Sequence, residues 1–65
     1  MSELITAFQE LIYVMFAVID EGVFDDSAQT EQIGFEAIER ANQTLIAYGA
    51  EPVTYEMWKE RVTNG

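Results

Sequence analysis

The side chains available for chemistry are carboxylates, hydroxyls and aromatic rings, because the 65-residue chain contains neither histidine nor cysteine. That absence excludes a hydrolytic triad and leaves a serine nucleophile without its usual base. Ser2 and Ser27 read as helix caps. The single lysine, Lys59, lies between Trp58 and Glu60 and reads as a surface residue whose stem covers apolar neighbours. Paired carboxylates do acid–base work only where a pocket raises one pKa, and a chain this short has little volume for a pocket. The expectation is a protein that is not an enzyme, with no catalytic residue and no cofactor.

The acidic stretch in the middle invites a calcium reading. Asp20 and Glu31 have the separation of the first and last positions of a twelve-residue EF-hand loop, but Gly22 and Phe24 stand where oxygen ligands belong. Asp25 occupies the place where the sharp turn needs glycine, so no metal site is expected. The eight aromatic side chains suggest a base-stacking surface only until the basic residues are located. Stacking proteins interleave rings with lysine and arginine, and residues 1–39 contain neither. The rings are expected in the core, with Tyr13 the exception as an exposed contact.

Charge is the informative feature. Twelve acidic and three basic side chains give a net charge of −9. Glu3, Glu10, Asp20, Glu21, Asp25, Asp26, Glu31, Glu36 and Glu39 all precede Arg40, the first basic residue. Beyond position 39, Glu51, Glu56 and Glu60 are matched in number by Arg40, Lys59 and Arg61. The whole excess therefore belongs to the first 39 residues. Direct binding to nucleic acid or to an anionic membrane is disfavoured, whereas a basic protein surface is attracted. On a helix, Glu3 and Glu10 stand about 10 Å apart, within a factor of two of the spacing of backbone phosphates.

These groups are positioned by helices. Leu4, Phe8, Leu11, Met15 and Val18 recur at alternating spacings of four and three, and Ile5, Ile12, Phe16 and Ile19 form a second stripe beside them. The polar remainder is Glu3, Thr6, Gln9, Glu10, Tyr13, Asp20 and Glu21. So apolar a helix is either the centre of a bundle or an oligomer interface. Residues 11–19 also suit a strand, but the three-four spacing reaches back to Leu4 and favours a helix. Gly22 ends it, and Asp26 with Gln29 has the spacing of a capping box opening the next. The second helix carries Ile33, Ala37, Ile38, Ala41, Leu45 and Tyr48 and closes at Gly49; its small Gly34, Ala37 and Ala41 invite close approach. Ala50–Val53 connects to a short third helix capped by Thr54 and carrying Tyr55, Trp58 and Val62. The predicted fold is all-α: one three-helix domain over residues 1–65, a long hairpin with a short C-terminal helix, spanning about 3–21, 27–48 and 54–63.

With 49% hydrophobic residues, the chain has the means to build a core despite its charge. The longest apolar run, Leu11 to Ile19, is nine residues, against the roughly 20 of a membrane span. No basic stretch opens a secretory signal, and the cysteine-free composition suits a reducing compartment, so a cytoplasmic location is expected.

In overall character (short, cysteine-free, helical and strongly acidic) the chain resembles the small acidic inhibitors encoded by phages and mobile elements, of the anti-CRISPR or DNA-mimic type. The resemblance spans the whole chain and rests on no residue motif. It implies an inhibitor that covers the basic nucleic-acid-binding surface of a host protein, such as a CRISPR effector complex, in the host cytoplasm. The residues expected to meet that partner are Glu3, Glu10, Tyr13, Asp20, Glu21, Asp25, Asp26 and Glu31. The alternative is a helical module that forms a homodimer or docks a partner through its second apolar stripe, with acidity serving solubility. A monomer and a homodimer are both compatible with the sequence.

Overall fold

The computed structural model describes the backbone from Ser2 to Gly65 and the side chains from Glu3 onward. Three α-helices make up the fold: α1 (Ser2–Asp20), α2 (Ala28–Ala47) and α3 (Tyr55–Asn64). Their bounds agree with those expected to within two residues. The cap expected of the Ser2 side chain lies outside the described residues.

Local chemistry explains each boundary. After α1 the chain turns at Gly22, whose φ of +77° is open to glycine without a steric penalty. The N-cap of α2 is Ser27, not Asp26: its hydroxyl accepts the Thr30 N–H at 3.2 Å and lies 2.8 Å from the Thr30 hydroxyl. Ser27 has the extended backbone that a cap needs, and the expected Asp26–Gln29 box is one residue out of register. Gly49, at φ +76°, closes α2. Thr54 caps α3 by accepting the Met57 N–H at 3.2 Å.

α1 is the centre of the fold, and both other helices pack on it. Gly34 of α2 faces Ile19 and Met15, where an added Cβ would stand 3.3 Å from Ile19 Cδ1. The small residue thus does let the helices approach. On the other flank the Tyr55 ring meets Phe16 edge-on at 5.9 Å, while Arg61 reaches back to Glu10. Both α2 and α3 therefore run antiparallel to α1 and parallel to each other. Residues 48–54 must travel back along the molecule to begin α3 at the end of α1.

Two amides hold that return. Gln9 Nε2 donates to the Glu51 carbonyl at 2.8 Å. Asn42 grips Val53 from both sides, Nδ2 donating to its carbonyl at 2.7 Å and Oδ1 accepting its N–H at 2.8 Å. Val53, 1% exposed, is the most deeply buried side chain. It joins Ile12, Phe16, Ile38, Leu45 and Trp58 in the core.

The buried stripe of α1 is the second one. Ile12 and Phe16 are 4% and 6% exposed, whereas Leu4 and Leu11 of the first stripe are 69% and 65% exposed. Phe8 and Met15 lie between the two and are half-buried. The physical reason is the direction from which α3 arrives. It docks beside Phe16, Tyr13 and Asp20, and this rotates the Ile12–Phe16 side of α1 inward and the Leu4–Leu11 side outward. The result is a flattened molecule, with extents of 37 × 27 × 16 Å.

Candidate partner-binding surface

The eight residues singled out from the sequence fall into two groups. Glu10 and Tyr13 are drawn together by Arg61 of α3, whose Nη1 lies 3.0 and 3.1 Å from the two Glu10 carboxylate oxygens. The Arg61 guanidinium carbon stands 4.5 Å from the Tyr13 ring centroid, a cation–π contact. The hydrogen bond and the charge of Glu10 hold the Arg61 pKa above its usual value. Tyr13 is thus half-buried with a ring face occupied, and is not the open aromatic contact expected. The balance expected of the C-terminal segment changes too. Arg61 compensates Glu10 rather than Glu56 or Glu60, a pairing across 51 residues that local spacing does not signal.

Glu3 is exposed near the start of α1, about 25 Å along the helix axis from Asp20 at 1.5 Å per residue. With Glu10 neutralised, Glu3 has no uncompensated carboxylate beside it on α1. The row of phosphate-like charges along α1 is therefore broken.

The second group holds together at the α1–α2 turn. Asp20, Glu21, Asp25 and Asp26 are exposed there, and the Asp25 carboxylate folds back over Gly22, where it would meet an added Cβ at 2.6 Å. Asp20 and Glu31 share an open cleft of about 470 Å³ with Phe16, Ile19, Phe35 and Tyr55. The Tyr55 hydroxyl donates to Asp20 Oδ1 at 3.4 Å, a long contact. Beyond Glu31 the exposed face of α2 continues with Glu36 and Glu39. With α2 beginning at Ala28, Glu36 and Glu39 lie about 12 and 17 Å along its axis from the turn. Among the described residues the ion pair is Arg61–Glu10 alone, so the five carboxylates at this end, and Glu36 and Glu39 along α2, are without one. Among the same residues no three carboxylates converge as metal ligands would, and no helix is long and apolar enough to cross a membrane.

A second uncovered apolar surface lies away from the acidic turn. Phe8, Leu11, Ile12 and Met15 of α1 and Ala37, Ile38 and Ala41 of α2 line a shallow groove of about 140 Å³ on the side of the hairpin away from the Gln9 and Asn42 clamps. The docking alternative expects Ile5, Ile12, Phe16 and Ile19 to be the open stripe. That stripe is largely enclosed, and the exposed one contains Leu4, Leu11 and Val14. Comparison of the chain with family models, with curated proteins and with solved structures finds no match.

Proposed function

We propose that this chain is a non-catalytic inhibitor that docks its acidic end on the basic nucleic-acid-binding surface of another protein and keeps nucleic acid from it. The observation that supports this reading is the grouping of Asp20, Glu21, Asp25, Asp26 and Glu31 around the α1–α2 turn, with Glu36 and Glu39 following along α2, none in an ion pair among the described residues. Self-repulsion of this kind opposes folding, and a surface tuned only for solubility relieves it by interspersing lysine. A basic groove relieves it from outside. Opposite charge accelerates encounter, and carboxylates then take the place of phosphates on the partner's arginines and lysines. CRISPR effector complexes of a host cytoplasm are the candidate partners that the resemblance in character implies.

The test is competition. The protein is titrated into a basic nucleic-acid-binding protein holding labelled DNA, and DNA release is followed as salt rises. Release should weaken steeply with ionic strength, since exposed charges are screened within about 10 Å at 0.1 M salt. Replacing Asp25 and Asp26 together by lysine should abolish release while leaving helix content intact. Carboxylates at the rim are worth about 1 kcal/mol or less each, and those facing desolvated arginines about 2–5 kcal/mol. Replacing Glu56 and Glu60 by lysine should do much less, because both lie beside Lys59 on α3. Equal losses from the two double replacements would mean that net charge alone steers binding and would remove the turn as the site. Absence of competition against every basic partner tried, CRISPR effectors included, would remove the function.

A further inference from the structure

The chain exposes more surface than a self-sufficient monomer of its mass. At 7.4 kDa a folded monomer is expected to expose about 4,200 Å², and this one exposes 4907 Å², an excess of about 700 Å². Its radius of gyration of 12.2 Å likewise exceeds the roughly 11 Å of a compact chain of this length. An excess of that size is close to the 800 Å² or so that each partner contributes to a standard protein interface.

Part of the exposed apolar surface forms one continuous line. Leu4, Ala7, Leu11, Val14 and Val18 follow one another at spacings of three, four, three and four, a heptad seam along one side of α1. Leu4, Leu11 and Val14 are 69%, 65% and 57% exposed, Ala7 is exposed and Val18 half-buried. At 100° per residue these five fall within an arc of about 80° on α1, adjoining the groove lined by Leu11, Met15, Ala37 and Ala41. The α2 side of the face continues through Ile33, which is also exposed. No carboxylate belongs to the α1 seam or lines the groove. In a protein of net charge −9, the exposed apolar stripe of α1 is thus free of charge.

We infer that this face is the interface of a homodimer in which the hairpins of two copies pack into a four-helix bundle. The seam is nearly symmetric about Leu11, with Leu4 and Val18 each seven residues away. A two-fold axis at Leu11 sets α1 antiparallel to α1 of the second copy, so that Leu4 faces the partner's Val18 and Leu11 meets the partner's Leu11. Such an isologous contact needs no second, different patch, which is what a self-complementary spacing supplies. The seam is about 21 Å long, and two helices side by side are about 20 Å across. Each copy offers a footprint of about 400 Å², of order 1,000 Å² of accessible surface for the pair once side-chain relief is counted, the lower edge of specific dimers. The groove of about 140 Å³ is the size left by removing one leucine side chain, so it accepts an aliphatic knob from the second helix. The acidic turn stays outside, so the dimer presents two acidic ends and is independent of what those ends bind.

Sedimentation equilibrium of the full chain across concentration and salt tests the proposal. A monomer–dimer equilibrium is expected, tightening as salt rises from about 50 to 500 mM because screening relieves the repulsion of two chains of charge −9. This is opposite in sign to the salt dependence of docking on a basic partner, so the two readings fail separately. Leu11→Glu should weaken the dimer roughly a hundredfold or more, since it sets two unpaired carboxylates against each other at the axis. Its circular dichroism should match the parent's, because Leu11 is exposed in the monomer. Leu4→Gln should weaken the dimer less, and Ile46→Gln, at an exposed site on the other side of α2, should leave it unchanged. A chain that stays monomeric at millimolar concentration and high salt overturns the proposal, as does a dimer that survives both Leu11→Glu and Leu4→Gln. A monomer that instead binds zwitterionic phosphatidylcholine vesicles through Leu11 would give the face to lipid and overturn it equally.

Discussion

Asn42 is the side chain on which the direction of the third helix depends, and Asn42→Ala tests that dependence. Its amide makes both hydrogen bonds to the Val53 backbone, at 2.7 and 2.8 Å, and Val53 is the least exposed residue of the protein. Truncation leaves one buried N–H and one buried C=O without a partner, each costing about 1–2 kcal/mol, so about 2–4 kcal/mol together. A chain of this length has about 3–10 kcal/mol of stability in all. At about 4–8 °C per kcal/mol, the melting temperature followed by circular dichroism should fall by roughly 10–25 °C. Asn42→Asp separates the two bonds. The introduced carboxylate still accepts the Val53 N–H but cannot donate to the Val53 carbonyl, whereas its protonated form does both. Its pKa is therefore raised in the folded state, and the bond it restores is present below about pH 4 and lost as pH rises through the raised value. Relative to the parent at the same pH, Asn42→Asp should be least destabilised near pH 3 and most at pH 7. An Asn42→Ala variant that melts within about 3 °C of the parent would refute the clamp, because so small a shift corresponds to less than one lost bond.

The remaining predictions concern the helix contacts. Gly34→Ala should change stability by about 0.5 kcal/mol or less, because roughly 1 kcal/mol of helix propensity is offset by the 3.3 Å approach to the Ile19 side-chain end; Gly34→Leu should cost about 1–3 kcal/mol in urea denaturation by overpacking the α1–α2 contact. Arg61→Gln should leave the helices intact and lower the melting temperature slightly, the loss shrinking as salt rises, because the Glu10 pair is about half exposed. The Arg61 pKa is raised by Glu10, so the contribution of the pair through this group is complete below the usual arginine value and is lost only as pH climbs past the raised one. Melts of parent and Arg61→Gln should therefore keep the same separation from about pH 7 to pH 9.

The three helices, their order and their ends were legible in the sequence, because caps and terminators act within a few residues of themselves. Thr54, Gly22 and Gly49 do what their types predict, and Gly34 makes the close approach that its place on the second helix suggested. The concentration of acidic residues before Arg40 is a property of the sequence itself, and the α1–α2 turn gathers Asp20, Glu21, Asp25, Asp26 and Glu31 because the two helices that carry them meet there. The sequence offers both Ser27 and Asp26 as caps of α2, and the local backbone selects Ser27. Two other matters were decided only by tertiary structure. Arg61 pairs with Glu10 and covers Tyr13 across half a hundred residues because α3 lies antiparallel on α1. Above all, α1 has two apolar stripes of similar strength on adjoining sides, and nothing within that helix chooses between them. The choice came from Val53 and Trp58, which enter from the connector and from α3 on the side of Ile12 and Phe16 and leave Leu4, Leu11 and Val14 facing outward. Periodicity says that a helix has a face to bury, and only the arrival of the other elements says which one.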